Sequence, residues 1–388
     1  MNGTIYFDNA ATTRTDERVL EAMLPFMREA YGNPSGKYSL GYEARKAVNS
    51  ARSSAAQLIN AEPDEIYFTS SGTEGNNTII KSVTDLAGAG TKNIYSTAIE
   101  HKSVLNSVNA LEGKGARLGL LQPGTDGYVF PEELERKLAG SPKANEGFIN
   151  GIVSVMLVNN ETGSVQPVKE LCDIAHRYGY LFHTDAVQAA GHMDINVKEM
   201  GADFLTVSGH KLYGPKGTGF IFVKRGIRIK PYMDGGGQER GLRSGTENVP
   251  GIVGLGKACE IALSEMKENE KKERETGSFL KQSLLETIPD ISFNGTGDRI
   301  INVSFKGING TSLALRLDME HICVSTGAAC SMGTDERSHV LTAMGLSAEE
   351  IDSSIRISIG RYNTREEAEY VVGKIAGIVS ELRSLGSL

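Results

Sequence analysis

The sequence is short of cysteine. Its 388 residues contain four, Cys172, Cys259, Cys323 and Cys330, and no two stand in CxxC spacing. So few thiols in so long a chain argue against a disulfide framework. The cluster His321-Ile-Cys323…Cys330 lacks a fourth ligand, so no metal site is expected there. An excess of positive charge is missing too: 41 Lys and Arg stand against 48 Asp and Glu, a net charge of −7 with both signs interspersed. That disfavours nonspecific nucleic-acid binding and leaves room for a local basic pocket that takes one phosphate. No apolar run is long enough for a bilayer; the most apolar, 148–158, is short and interrupted. The opening MNGTIYFDNAATTR lacks the basic-then-apolar pattern of a secretory leader, so a cytoplasmic protein with no membrane partner is expected. No solenoid-type repeat occurs, and the 45 glycines follow no collagen period.

What is present is a globular composition, 39% hydrophobic and 23% charged. The length suffices for one large domain or two ordinary ones, with a core that needs no staples. Amphipathic helical pattern covers 16–30 and 42–60. Strand-like runs follow at 65–69, 93–97, 117–121, 151–158, 180–184, 203–207 and 219–223, most of the first six separated by helical stretches. Such alternation predicts an α/β fold with a mainly parallel sheet flanked by helices. A long helical region, about 246–287 and strongly charged over 265–274, reads as a bridging helix with a solvated face. Beyond it, strand-like 299–305, helix-like 311–319, strand-like 355–359 and a final helix from Arg365 predict a smaller α+β C-terminal domain. The expected division is a large domain at residues 15–258 and a small one built from 1–14 and 259–388.

In open α/β sheets, ligands bind beyond the carboxyl ends of the strands. Five predicted strands end in polar or ionisable groups: Ser70-Ser-Gly-Thr-Glu-Gly-Asn-Asn77, His101, Asn159-Asn160-Glu161, Asp185-Ala-Val-Gln188 and Ser208-Gly-His-Lys211. Each has a plain explanation alone. Ser71-x-x-Glu74 is a capping box; Asp185 can cap a helix; His101 can be a hydrogen-bonded histidine at a helix start; Lys211 can be a surface lysine. Five on one sheet edge point to a single site. Gly72 and Thr73 at a helix start suit a phosphate, Asp185 a ring nitrogen, His101 a ring face and Lys211 a Schiff base with an aldehyde, with Ser208 and His210 placed to donate to the phosphate. Together these are the needs of pyridoxal 5′-phosphate.

Two further places carry chemistry. Cys323, between Ile322 and Val324, reads as a small buried hydrophobe. Cys330 lies in Ser325-Thr-Gly-Ala-Ala-Cys-Ser-Met-Gly333, where small residues predict a mobile loop and an exposed thiol; a nucleophile is preferred over an incidental loop cysteine. In Ser354-Ile-Arg-Ile-Ser-Ile-Gly360 the isoleucines share one face and Arg356 the other, either as a carboxylate clamp or as a solvated edge-strand residue.

These residues resemble those of the cysteine desulfurases of the NifS/IscS group, in the class V branch of fold-type I pyridoxal phosphate enzymes. The resemblance runs over nearly the whole chain through Tyr6-Phe-Asp-Asn-Ala-Ala-Thr-Thr13, Tyr31-Gly-Asn-Pro-Ser35, Ser70-Ser-Gly-Thr-Glu74, Glu100-His-Lys102, Val158-Asn-Asn-Glu161, His183-Thr-Asp-Ala186, Ser208-Gly-His-Lys211, Gly235-Gly-Gly-Gln-Glu-Arg240, Arg243-Ser-Gly-Thr246, the Cys330 loop and Ser354-Ile-Arg356. It implies that Lys211 binds the cofactor aldehyde, Asp185 the ring nitrogen and Gln188 the ring hydroxyl, with His101 stacked on the ring and placed to move a proton in catalysis. Gly72, Thr73, Ser208 and His210 would hold the phosphate, and Thr246 the phosphate of a neighbouring subunit, hence a homodimer with an active site shared across the interface. Asn160 and Arg356 would orient the L-cysteine substrate, with Asn33 near its carboxylate, and Cys330 would take its sulfur as a persulfide, releasing alanine. A sulfur acceptor or Fe–S scaffold protein is the implied partner. Two departures matter. Tyr38 stands where the family often has histidine and is assigned no role. The extended IscS-type tail is missing, so the NifS-like subgroup fits better. Rival readings are another class V enzyme, an aminotransferase or selenocysteine lyase, and a non-catalytic, cofactor-loaded binding protein.

Overall fold

The structure is a computed structural model and describes residues 3–86, 93–141, 149–326 and 337–386. After a two-residue strand, β1 (Ile5–Tyr6), and the helices Glu17–Arg28 and Ser39–Leu58, the chain builds a seven-stranded sheet. Its strands are β2 (Ile66–Thr69), β3 (Asn93–Thr97), β4 (Arg117–Leu121), β5 (Gly151–Ser154), β6 (Tyr180–Asp185), β7 (Phe204–Ser208) and β8 (Gly219–Val223), in the order β2-β8-β7-β6-β5-β3-β4. Five neighbouring strands, β4 to β7, pair in parallel; β8 runs antiparallel to both β7 and β2. The mainly parallel α/β sheet is therefore as expected. Its central strands are buried on both faces, which is why they read as near-continuous apolar runs.

Period-2 alternation sends adjacent side chains into opposite layers. Ile152, Phe204 and Ile221 pack with Ile79, Ile80, Val83, Val104 and Val108 from the helices Gly72–Leu86 and Lys102–Glu112. Val153, Leu205, Phe220 and Phe222 pack with Ala51, Ala55, Leu171, Leu255 and Cys259 on the other side. One expectation needs correction: the strand expected over 151–158 ends at Ser154. Val155 and Leu157 still donate to His183 and Asp185 carbonyls, but β3 stops at Thr97, and the Glu100 side chain takes the Met156 N–H in its place.

Most of the rest of the chain forms a second core, while Val340, Leu341, Met344 and Ile351 pack into the first. Strands β9 (Ile291–Phe293), β10 (Ile300–Phe305) and a later edge strand form an antiparallel sheet, while β11 (Ile322–Cys323) pairs in parallel with β1. The edge strand is β12 (Ser354–Ser358), giving the order β12-β10-β9. Phe7, Leu280, Leu284, Val303, Ile355, Ile357, Val371 and Ile375 fill this core under the helices Gly310–Met319 and Arg365–Gly386. The 39-residue helix Val249–Thr287 gives Leu255 and Cys259 to the first core and Leu280 and Leu284 to the second. Close backbone approach fixes its seat: a Cβ on Gly256 would lie 2.5 Å from Ala51, and one on Gly277 1.8 Å from the Asp298 carbonyl oxygen. Among the described residues, no helix is long and apolar enough to cross a membrane.

Candidate active site

The ends of β2, β3, β6 and β7 face one cavity of about 380 Å³. Gly72, Thr73, His101, Asn160, Asp185, Gln188, Ser208, His210, Lys211 and Arg356 all line it, so the structure brings ten sequence-predicted residues together. Asp8, Ala10 and Ala11 from the N-terminal segment and Ser325 from the second core help to close it.

At one end the helix Gly72–Leu86 begins against the cavity. Ser71 caps it by accepting from the Glu74 N–H at 3.1 Å, while Glu74 accepts from the Ser70 N–H at 2.9 Å and pairs with Arg243. Capping and phosphate binding are thus compatible at this turn. A Cβ on Gly72 would lie 2.8 Å from Val187 Cγ2, so only glycine keeps this cradle open. His210 makes a 3.0 Å hydrogen bond with the Thr12 hydroxyl, and burial together with the Lys211 charge lowers its pKa to about 4. A neutral imidazole there offers one N–H to an anion.

Asp185 also lines the cavity. Its Oδ1 accepts from the Val187 N–H at 2.9 Å and its Oδ2 from Asn76 Nδ2 at 2.7 Å, which fixes the carboxylate plane. Gln188 donates to the Ala10 carbonyl at 2.8 Å. His101 caps the helix Lys102–Glu112, accepting the Ser103 N–H on Nδ1 at 3.1 Å. Its pKa is lowered, first by burial and then by Lys211 and other cations, against the opposing pull of Asp185.

Lys211 ends the single helical turn Gly209–Lys211 after β7. Its Nζ donates to the carbonyls of Ala10 at 2.5 Å and Ala11 at 2.6 Å. The glycines around it do pack tightly: a Cβ on Gly209 would stand 2.7 Å from Thr218 Oγ1. Near the cavity mouth Arg356 donates from Nη2 to Asp8 at 2.8 Å and from Nη1 to the Asn160 carbonyl at 2.9 Å. Its Nε is buried with no hydrogen-bond partner among the described residues. Arg356 is 4% exposed, so the solvated-edge reading fails: residues 8 and 325 bridge to β12 and cover that edge.

Three expected residues stand apart. Asn33 is exposed and accepts the Ser35 N–H. Thr246 is exposed on a separate hollow of about 270 Å³ with Ser70 and Arg243. Cys330 lies outside the described residues. Both flanks of its segment are tied to the site: Ser325 pairs with Arg356, Ser338 donates to Glu161 at 2.5 Å, and His339 Nε2 bonds the Glu100 carbonyl at 2.8 Å. Of the other thiols, Cys172 and Cys259 are fully buried, and burial pushes Cys172 up to about 12. Cys323 is only half-buried, a correction to the buried reading, because among the described residues β11 has just the two-residue β1 as its strand partner. Asn76, Ser103, Met156 and Asp8 line the cavity and were not singled out. Asn76 and Asp8 stand inside quoted motifs, which was the available signal.

This residue set fits pyridoxal 5′-phosphate. A glycine cradle at a helix start, a fixed carboxylate, a buried imidazole and an amine share one cavity.

The chain matches the model of the family described as aminotransferase class-V over residues 5–371. It is 43% identical over 391 residues to a cysteine desulfurase IscS of Methanosarcina thermophila, covering 100% of this chain and 95% of the relative. Among solved structures it is similar to a NifS-like protein, with a TM-score of 0.90 and 38% identity over 98% of this chain and 100% of that one. It is also similar to SspA in complex with cysteine, with a TM-score of 0.81 and 33% identity over 93% of this chain and 100% of that one.

Proposed function

The chain belongs to the aminotransferase class-V family, and from that membership and the cleft we propose that it is a cysteine desulfurase, converting L-cysteine to L-alanine and carrying the sulfur as a persulfide on Cys330. The observation that carries the reading is the convergence of the Lys211 amine, the Asp185 carboxylate, the His101 ring and the Arg356 guanidinium on one cavity.

In this reading pyridoxal 5′-phosphate is held by Gly72, Thr73, Ser208 and His210 at its phosphate, by Asp185 at its ring nitrogen, by Gln188 at its hydroxyl and by His101 at its face. It supplies an aldehyde that captures amines and an electron-withdrawing ring that acidifies the substrate α-carbon. Arg356 takes the substrate carboxylate with Nε and a terminal nitrogen, as a fork, and Asn160 backs it. Lys211 Nζ, released from Ala10 and Ala11 and deprotonated, removes the α-proton. The Cys330 thiolate then attacks the substrate sulfur. A sulfur–sulfur bond forms, the Cβ–sulfur bond breaks with its electron pair staying on Cβ, and Cβ takes a proton as alanine forms.

The reading extends to a homodimer in which Thr246, and Asn33 near the substrate carboxylate, serve a shared site; their exposure outside the cavity supports this. It also extends to a cytoplasmic location, a sulfur acceptor or Fe–S scaffold as partner, and a division into residues 15–258 against 1–14 with 259–388, for which the second core, drawn from Phe7 and residues 280–379, is the support. The test is L-cysteine with a reductant and the purified holoprotein. Equal amounts of alanine and sulfide are expected, and Cys330→Ser should keep the visible cofactor band and release neither. Amino transfer that needs an added 2-oxo acid would assign an aminotransferase instead, and a strong preference for selenocysteine a lyase. Undiminished sulfide from Cys330→Ser would remove that thiol from the reaction.

A further inference from the structure

A row of hydrogen bonds along the cavity wall has no counterpart in the roles given so far. The two N–H groups of the Asn76 amide reach Asp185 Oδ2 at 2.7 Å and Ser103 Oγ at 2.8 Å. The amide orientation is fixed by chemistry: a carboxylate only accepts, so nitrogen must face Asp185. Asn76 is 1% exposed, and its Oδ1 has no hydrogen-bond partner among the described residues, so the buried amide is held by these two donations. Ser103 Oγ accepts from Asn76, keeps its own proton to give, and stands 2.8 Å from His101 Nδ1. The Ser103 backbone N–H also points at Nδ1, at 3.1 Å. An amide proton cannot turn away, so Nδ1 cannot carry a proton of its own.

We infer that Asn76 and Ser103 are positioning residues that hold His101 as its Nε2–H tautomer, so that it meets the bound substrate as a hydrogen-bond donor and not as a base. The only ring nitrogen left for the cavity is then Nε2, and in the neutral ring it bears the proton. Removal of the α-proton therefore falls to Lys211 alone. The ring's neutrality has an independent cause: burial lowers its pKa, as do Lys211, His339 and Lys102, while Asp185 opposes them. The row also links the carboxylate that faces the cofactor ring nitrogen to the imidazole that faces the ring, so both are set by one amide.

The inference rests on the proposed function only for what His101 donates to; the tautomer stands without it. The test is the ¹⁵N spectrum of histidine-labelled full-length protein, without and with cofactor, with His101→Asn giving the assignment. Wild type should show protonated Nε2 and bare Nδ1 at neutral pH. Ser103→Ala removes one donor to the neutral ring, so the titration midpoint of His101 should rise by about 0.5–1 pH unit, with Ser103→Thr restoring it. Asn76→Asp, which draws the serine hydroxyl away from the ring, should move it the same way. In turnover, Ser103→Ala should lower kcat with KM changed by less than about twofold. A proton on Nδ1 in wild type overturns the inference whatever the variants do, and so does an unmoved midpoint in a folded Ser103→Ala protein. Loss of alanine formation in wild type, with the predicted spectrum intact, would overturn only the function.

Discussion

Glu100 precedes His101 in the chain and is fully buried. Its Oε1 accepts from Thr97 Oγ1 and the Met156 N–H, each at 2.8 Å, while Oε2 is buried with no partner among the described residues. Burial pushes this carboxyl up to about 8. Folding then takes up a proton between the ordinary carboxylate range and pH 8, so stability falls as pH rises through that window, by at most about 1.4 kcal/mol per unit. Glu100→Gln keeps the acceptor and removes the ionisation. Its melting temperature should match wild type near pH 5 and exceed it at pH 8.5; an equal pH slope in both proteins would show that Glu100 stays charged. Residues of this kind were only partly legible. Lys211, Asp185 and His101 stand out because each follows an apolar strand. Asn76 and Ser103 sit on helices, where a polar side chain aimed inward and one aimed at water look alike in sequence.

Among elements, the long helix Val249–Thr287 carries the sharpest test. A mid-helix glycine replaced by alanine normally gains about 1 kcal/mol. At Gly277 the sign should reverse, because the new methyl would sit 1.8 Å from the Asp298 carbonyl oxygen, which is backbone and cannot swing aside. Gly277→Ala should lose about 1–3 kcal/mol by denaturant unfolding, as overpacked cores do. A stabilised variant would mean the helix is not seated there. All seven strands of the large sheet were legible from their apolar runs, and the bridging helix from its charge. The reversal of β8 was not drawn, although the spacing contained it: parallel neighbours need a crossover of a dozen or more residues, and only 209–218 separate β7 from β8. The early end of β5 had no local signal, since it depends on where β3 stops.

At the scale of the molecule, one buried cluster joins distant parts. Asp16, the cap of the helix Glu17–Arg28, accepts from Arg18, pairs with Arg361 and bonds Tyr362; Arg18 and Arg361 both pair with Glu265 of the long helix. The Arg361 guanidinium lies 3.9 Å from the centre of the Tyr213 ring, two residues beyond the amine. These arginines hold the Asp16 carboxyl well below its usual range, with its bond to Arg18 first, against the cost of burial. The sign is that of a depressed carboxylate: its stabilisation is complete above about pH 4 and is lost as pH falls further. Asp16→Asn takes from Arg361, whose side chain is 6% exposed, its shorter ion pair and leaves it Glu265 at 3.7 Å. A loss of about 2–3 kcal/mol is expected at pH 7, together with a flatter acid limb than wild type. An unchanged acid limb would place the acid-sensitive group elsewhere. Sequence could not join residues 16, 213, 265 and 361, because nothing in local pattern reports contacts over such separations.

The same long reach governs when the site can exist. The Asp8–Arg356 pair joins residues 348 apart, and β1 needs β11 to lie against. A nascent chain that has emerged only through the seven-stranded sheet already carries Lys211, Asp185 and the Gly72 turn, yet lacks Arg356. The wall of the cavity is therefore complete only once the ribosome has delivered the tail end of the message.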